Sequence, residues 1–100
     1  MPKSFFAVIR RPGPAWVENK PLREQAEWEA HARVMNGLAA QGWIIMGGPL
    51  GGGPDVLLIV EADDEQHVYE TLRRDPWTSA GILALSSVRQ WTVLLDSRKK

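Results

Sequence analysis

The sequence has no cysteine, no surplus of charge of either sign and no long apolar run, and each absence narrows its function. Without cysteine it forms no disulfide and no thiolate zinc site. Twelve Lys and Arg balance twelve Asp and Glu, whereas a nucleic-acid-binding protein usually carries a basic surplus. No signal peptide or membrane-spanning run is present. We therefore expect a soluble, cytoplasmic protein that binds neither nucleic acid nor membranes.

Length and composition predict one folded domain over residues 1–100. The chain is 44% hydrophobic, which is enough to form a core. It contains no low-complexity segment, internal repeat or linker that would divide it.

The hydrophobic pattern predicts the element order β, α, β, β, α, β. The predicted strands cover residues 4–10, 43–46, 56–60 and 88–95. The first helix is predicted from Pro21 to Gln41, and the second from a cap at Asp63 or Asp64 to about Arg74. This order is typical of an α+β, ferredoxin-like fold, in which an antiparallel sheet carries both helices on one face.

The first and third strands are apolar at successive positions, so both faces of the sheet need cover. Two helices cover only one face. The other face would expose a larger apolar patch than monomeric proteins usually show. We therefore predict a homodimer in which two sheets pack face to face.

Residues 47–53 are rich in glycine but do not form a phosphate-binding loop. They lack the Gly-Lys-Ser/Thr ending, and a strand rather than a helix follows. The segment is better explained as a hairpin turn, in which Gly48 and Pro49 shape the edge of a pocket. His31 and His67 have no recognisable ligand spacing, so we expect no metal.

His31 is the strongest candidate for chemistry. It lies on the apolar face of the first predicted helix, one turn from Trp28 and from Met35. A histidine there is either a satisfied core residue or a general acid–base at a pocket, and its spacing alone leaves both interpretations open. His67 is better explained as a solvated surface residue.

Two carboxylates could orient the His31 ring. Glu27 precedes it by one helical turn, and Asp75 is distant in sequence. Asp75 also has a structural explanation, since Asp followed by Pro76 is typical of a helix N-cap followed by its first residue.

Five tryptophans are many for this length, and they form either the core and dimer interface or the walls of a pocket for a flat organic ligand. Trp43 and Trp91 lie in predicted strands and are assigned to the core. Trp16 and Trp77 lie in loops and are assigned, with Trp28, to a substrate pocket.

Arg10 or Arg11, at the end of the first strand, could hold an anionic substituent of a substrate.

The chain resembles the YCII-related (YciI-like) family of the dimeric α/β-barrel group. The matching segments cover nearly the whole chain in the family's order: Arg11-Pro12-Gly13-Pro14, Trp28 with His31, Gly42-Trp43, Gly47-Gly48-Pro49-Leu50, Asp75-Pro76-Trp77 and Trp91. The resemblance implies a dimer of ferredoxin-like protomers.

The resemblance also implies a histidine and an aspartate in a cleft, which would be His31 and Asp75. Some relatives resemble dehydrochlorinases or lactone isomerases that act on ring compounds without a metal or organic cofactor. We therefore expect acid–base chemistry on a small cyclic or aromatic substrate. The alternative is a non-catalytic dimeric module that binds a small ligand.

Overall fold

A four-stranded antiparallel sheet with three helices makes up the fold. The computed structural model of the chain describes residues 3–98. The strands are β1 (Ser4–Pro12), β2 (Ile44–Pro49), β3 (Val56–Ala62) and β4 (Leu83–Trp91), in the spatial order β2-β3-β1-β4. The helices are α1 (Trp28–Ala40), α2 (Glu65–Leu72) and the one-turn α3 (Pro76–Ser79). The predicted α+β, ferredoxin-like class is confirmed.

The core lies between the sheet and the helices because side chains alternate along each strand. On β1 the residues facing the helices are Phe6, Val8 and Arg10, and all three are buried. Phe6 and Val8 belong to the apolar core together with Leu38 of α1 and Leu72 of α2. Arg10 therefore occupies a position that the alternation assigns to the interior.

The opposite side of the sheet is here called the open face, and among residues 3–98 the helices pack on the other side, with Phe6 and Val8. The centre of the open face on β1 and β3 is apolar, with Glu61 and Arg89 beside Phe5 and Ala7. Its apolar residues include Phe5, Ala7 and Ile9 of β1 with Leu57 and Ile59 of β3. Ala7 pairs with Ile59 and Ile9 with Leu57, whereas Phe5 pairs with Glu61. The segment after β4 covers only one end, where Val93 shares a groove with Phe5 and Ile59. The Ile9–Leu57 end remains uncovered, and the predicted dimer remains a prediction.

The predicted core position of Trp91 is wrong for the single chain. Trp91 pairs with Phe5 at the end of β4 on the open face, where its side chain is 46% exposed. Trp43 is buried in the core, as predicted.

Helix α1 begins at Trp28, seven residues later than the predicted start at Pro21. Residues Leu22–Glu24 form a single 3-10 turn instead. Glu27 takes a left-handed conformation with φ 62°, which separates the two. The buried Gln25 side chain holds the segment that begins at Val17 as a loop. Its amide accepts a hydrogen bond from the Val17 N–H and donates to the carbonyls of Val17 and Lys20.

Strand boundaries also differ from the prediction. β1 continues to Pro12 because Arg11 and Pro12 pair with Ala84 and Leu83, so β4 begins at Leu83 rather than Val88. The predicted helix stop at Gly42 is confirmed by its left-handed φ of 83°. In the part of the chain described, no helix is both long and apolar enough to cross a membrane.

Candidate active site

Three distant parts of the chain meet at one end of the sheet. His31 lies in the first turn of α1, Arg10 near the end of β1, and Asp75 at the start of α3. The His31 Nδ1 atom lies 2.9 Å from both carboxylate oxygens of Asp75, although the two residues are 44 positions apart. The structure therefore brings together the two residues that the sequence singles out for acid–base chemistry.

Asp75 is both a helix cap and the partner of His31. Its Oδ1 atom accepts a hydrogen bond of 3.0 Å from the backbone N–H of Trp77, and Pro76 occupies the first helical position. Its Oδ2 atom accepts a bond of 2.7 Å from Arg10 Nη1. The cap fixes the orientation of the carboxylate, so its two roles are compatible.

The surroundings of Asp75 favour its charged form. Burial by itself would raise the pKa of the Asp75 carboxyl. Hydrogen bonds from His31, Arg10 and the backbone of Trp77, with the Arg10 charge, outweigh burial and hold the pKa of Asp75 below its ordinary value of 3.8. The carboxylate is therefore ionised at neutral pH and can only accept hydrogen bonds.

The Asp75 carboxylate is the acceptor beside Nδ1, and it sets the tautomer of the neutral His31 imidazole. Nδ1 must carry the hydrogen that His31 donates to Asp75, so Nε2 carries the lone pair. Asp75 is fully buried behind the ring, while His31 itself lines a cavity. Nε2 is therefore the ring nitrogen turned to the cavity, and it has no hydrogen-bond partner among residues 3–98.

Tryptophans fix the plane of the His31 ring. Trp77 stacks on it with a centroid separation of 3.8 Å and an interplanar angle of 7°. Trp28 contacts the same ring at 5.6 Å. Trp77 is itself anchored by a hydrogen bond of 2.7 Å from its indole N–H to the Ala26 carbonyl. Its indole face can also stabilise an imidazolium through a cation–π contact.

The cavity in front of His31 has a volume of about 260 Å³. It lies between α1, β2 and the helix-facing side of the sheet. Of its lining residues, Arg10 and His31 alone have ionisable side chains. Most of the wall is apolar and includes Leu22, Met35, Ile44, Val56, Leu58 and Leu83. A small, largely apolar molecule suits such a cavity.

Comparison with protein families identifies the chain. A family model described as the YCII-related domain matches residues 4–92, which includes every residue of this site. The chain belongs to the YCII-related family. Neither a curated protein nor a solved structure matches this YCII-related chain.

Other predicted pocket residues divide into two groups in this YCII-related protein. Trp28, Trp77, Gly48 and Pro49 line the cavity together with Arg10. Trp16 lies behind Trp77, in an edge-to-face contact at 6.2 Å, outside the lining.

Arg11 is also outside the cavity, and Glu27 does not orient His31. The Arg11 side chain is 63% exposed, with its Nε atom 3.5 Å from Asp55. It is exposed because β1 alternation turns it to the open face. Glu27 contacts His31 only through its backbone carbonyl, which accepts the His31 N–H. Its left-handed conformation precedes the helix, so helical spacing does not apply to its side chain.

Sequence reasoning missed Thr78 and the internal role of Arg10. Arg10 Nη2 donates a bond of 2.8 Å to Thr78 Oγ1. The signal for Arg10 was its alternation with Phe6 and Val8, because a charge on a buried strand face must find a partner. No comparable signal marked Thr78.

The site residues do not form a metal-binding set. Among residues 3–98, no group of three or more His, Asp or Glu side chains converges as metal ligands would. His67 is remote, on α2, where its Nδ1 atom accepts a bond from the Asp63 N–H.

Proposed function

We propose that this YCII-related protein is an enzyme in which His31 is the general base, and then the general acid, for a small cyclic or aromatic substrate. The observation that supports this proposal is the His31–Asp75 contact behind an imidazole that lines an apolar cavity. The geometry matches the pairing of a catalytic histidine with an orienting carboxylate.

The first step is removal of a proton from a substrate carbon by the His31 Nε2 lone pair. In an isomerisation, the electron pair of the broken C–H bond forms a new double bond while the neighbouring π bond breaks and its electrons move to a more distant carbon or a conjugated oxygen. In an elimination, the same pair forms a double bond while the leaving group departs from the neighbouring carbon with its bonding electrons. The resulting imidazolium is stabilised by the Asp75 carboxylate and by the Trp77 face. Asp75 is a positioning residue in this scheme because it reaches the substrate only through His31.

The second step has two forms. In an isomerisation, the imidazolium returns its proton to another carbon of the same substrate. In an elimination, where the leaving group has already departed, the imidazolium passes its proton to solvent. Both forms are lyase or isomerase chemistry that histidine can carry out through protonation and deprotonation alone.

We also propose that the protein acts as a homodimer, with the open face of one protomer against that of a second copy. The uncovered Ile9–Leu57 end of the open face supports this arrangement.

The test is a screen of the full chain against small lactones and chlorinated ring compounds in D₂O. NMR would follow turnover and deuterium incorporation at carbon. We expect His31→Ala to reduce the rate by about 10²–10⁴-fold. His67→Ala is the matched control, since His67 lies on α2 away from the cavity, and it should retain the rate. Turnover that survives in His31→Ala would overturn the proposal, and tight binding of an unchanged compound would favour a binding module.

A further inference from the structure

Arg10 is a buried charge for which the proposed acid–base chemistry has no direct use. Its side chain is 1% exposed. Burial of a cation in a protein interior costs several kcal/mol unless it is paired. The reason for this charge must therefore lie in its contacts.

Both terminal nitrogens of Arg10 are engaged inside the protein. Nη1 donates to Asp75 Oδ2 at 2.7 Å, and Nη2 donates to Thr78 Oγ1 at 2.8 Å. The Thr78 hydroxyl in turn donates to the Leu72 carbonyl at 2.8 Å, which fixes its direction. Nε is sealed from solvent and has no partner among residues 3–98. The guanidinium is thus held toward α3, and at 1% exposure it offers almost no surface to a substrate anion.

Arg10 is the permanent positive charge in contact with Asp75. The other donors to this carboxylate are the neutral Trp77 N–H and the His31 ring. Paired with Arg10, Asp75 is neutralised whether or not His31 carries a proton. Without that guanidinium, the buried carboxylate would have only the imidazole from which to obtain a counter-charge, and an imidazolium cannot act as a base.

Other charged groups near His31 are farther away or turned outward. On the 3-10 turn, the Arg23 guanidinium lies 5.6 Å from the Trp28 ring centroid. Glu27, which precedes α1, is exposed, as are Glu29 and Arg33 on α1 itself. From β2, β3 and β4, no charged side chain lines the cavity.

We propose that Arg10 is a positioning residue that keeps His31 available as an unprotonated base, because it supplies the counter-charge of Asp75 from the side opposite the ring. The inference rests on the proposed role of His31. It assigns Arg10 a function in the charge state of the pair, in place of binding a substrate anion.

The experiment is an NMR titration of the two histidines in the full chain, labelled with ¹⁵N at the imidazole nitrogens. In Arg10→Met, we expect the midpoint of His31 protonation to rise by about one pH unit or more relative to the unsubstituted protein. This rise is a tenfold increase in proton affinity. Arg10→Lys keeps the charge, and its His31 midpoint should stay within about 0.3 of a unit, well below that change. His67, on α2, is an internal reference whose midpoint should not move.

Two results would overturn the proposal: a His31 midpoint in Arg10→Met that matches the unsubstituted protein, or one in Arg10→Lys that moves as far as in Arg10→Met. If Arg10→Met does not fold, Arg10→Gln applies the same test, since it removes the charge and keeps amide donors for Asp75 and Thr78. The titration needs no substrate. A screen without turnover therefore leaves its result intact, and an unmoved titration leaves His31 as the candidate base.

Discussion

The orientation of the His31 imidazole is fixed by one contact on the face of the ring and one at its edge. Trp77 stacks on the ring, and Asp75 receives Nδ1–H between its two oxygens. A flip of the ring about the Cβ–Cγ bond would put the carbon Cδ2 in place of Nδ1 and break the bond to Asp75. The same nitrogen, Nε2, is therefore always presented to the cavity, which is the preorganisation that proton transfer requires.

Asp75→Asn should destabilise the protein at pH 7 by about 3 kcal/mol, because the substitution leaves the buried Arg10 without its counter-ion. The pKa of Asp75 is lowered in the folded state, so the stability it contributes is present above its ordinary value of 3.8. That contribution is lost as the pH falls through the lower folded-state pKa. Urea unfolding at pH 7 and at successively lower pH would show the difference between the two proteins shrinking in this acid range.

Asp63→Asn is the control for this measurement. Asp63 is 57% exposed, and its replacement should change the free energy of unfolding by less than about 0.5 kcal/mol. An Asp75→Asn protein as stable at pH 7 as the unsubstituted one would contradict the assignment of a buried ion pair.

At the scale of elements, the loop between β1 and α1 closes one side of the site. Gly13 and Ala15 donate backbone hydrogen bonds to Ile82 and Gly81, and Trp77 donates its indole N–H to Ala26. Both ends of the loop are therefore attached to the α3–β4 region that carries Asp75.

Gly13→Ala should destabilise the protein by about 1–3 kcal/mol, measured by urea unfolding. A Cβ atom at position 13 would collide with the Gly81 carbonyl, which is backbone and cannot move aside cheaply.

Gly37→Ala is the matched control. Gly37 lies inside α1, and an alanine methyl group at this position would meet open space, so alanine should stabilise the helix by about 0.5–1 kcal/mol. Equal effects of the two substitutions would contradict the close approach at Gly13.

Sequence patterns predicted which helices and strands form better than they predicted the residues at which these begin and end. The spacing of apolar residues extended α1 back to Pro21, because periodicity does not register a left-handed residue such as Glu27. The start of β4 at Leu83 was missed since it depends on pairing with Arg11 and Pro12, more than 70 positions earlier. The composition of one segment cannot reveal a partner that far away.

At the scale of the whole molecule, His31 and Asp75 could be named from local patterns and the family resemblance. Their contact could not be predicted, because it depends on the packing of α3 beside α1. The role of Arg10 was hidden for the same reason, since its partner Asp75 is 65 positions away. Single residues were thus predictable, whereas the network they form was not.

The open face leads to a prediction about the oligomeric state of the protein. Ile9→Glu would place a charge at its uncovered end, opposite Leu57, where a second sheet would have to bury it. By size-exclusion chromatography with light scattering, we expect the mass to fall from twice 11.2 kDa to 11.2 kDa.

Tyr69→Glu is the matched control for assembly. Tyr69 is an exposed aromatic residue on α2, on the helix side of the sheet, so this variant should keep the mass of the unsubstituted protein. A mass of 11.2 kDa for the unsubstituted protein would contradict the proposed dimer.

The internal pairing of Arg10 with Asp75 has a consequence for how ligands are captured. The two charges cancel within the wall, so the cavity has little long-range attraction for anions or cations. Capture should then be governed by the fit of hydrocarbon surfaces and should change little with added salt, unlike the electrostatically steered binding of charged metabolites.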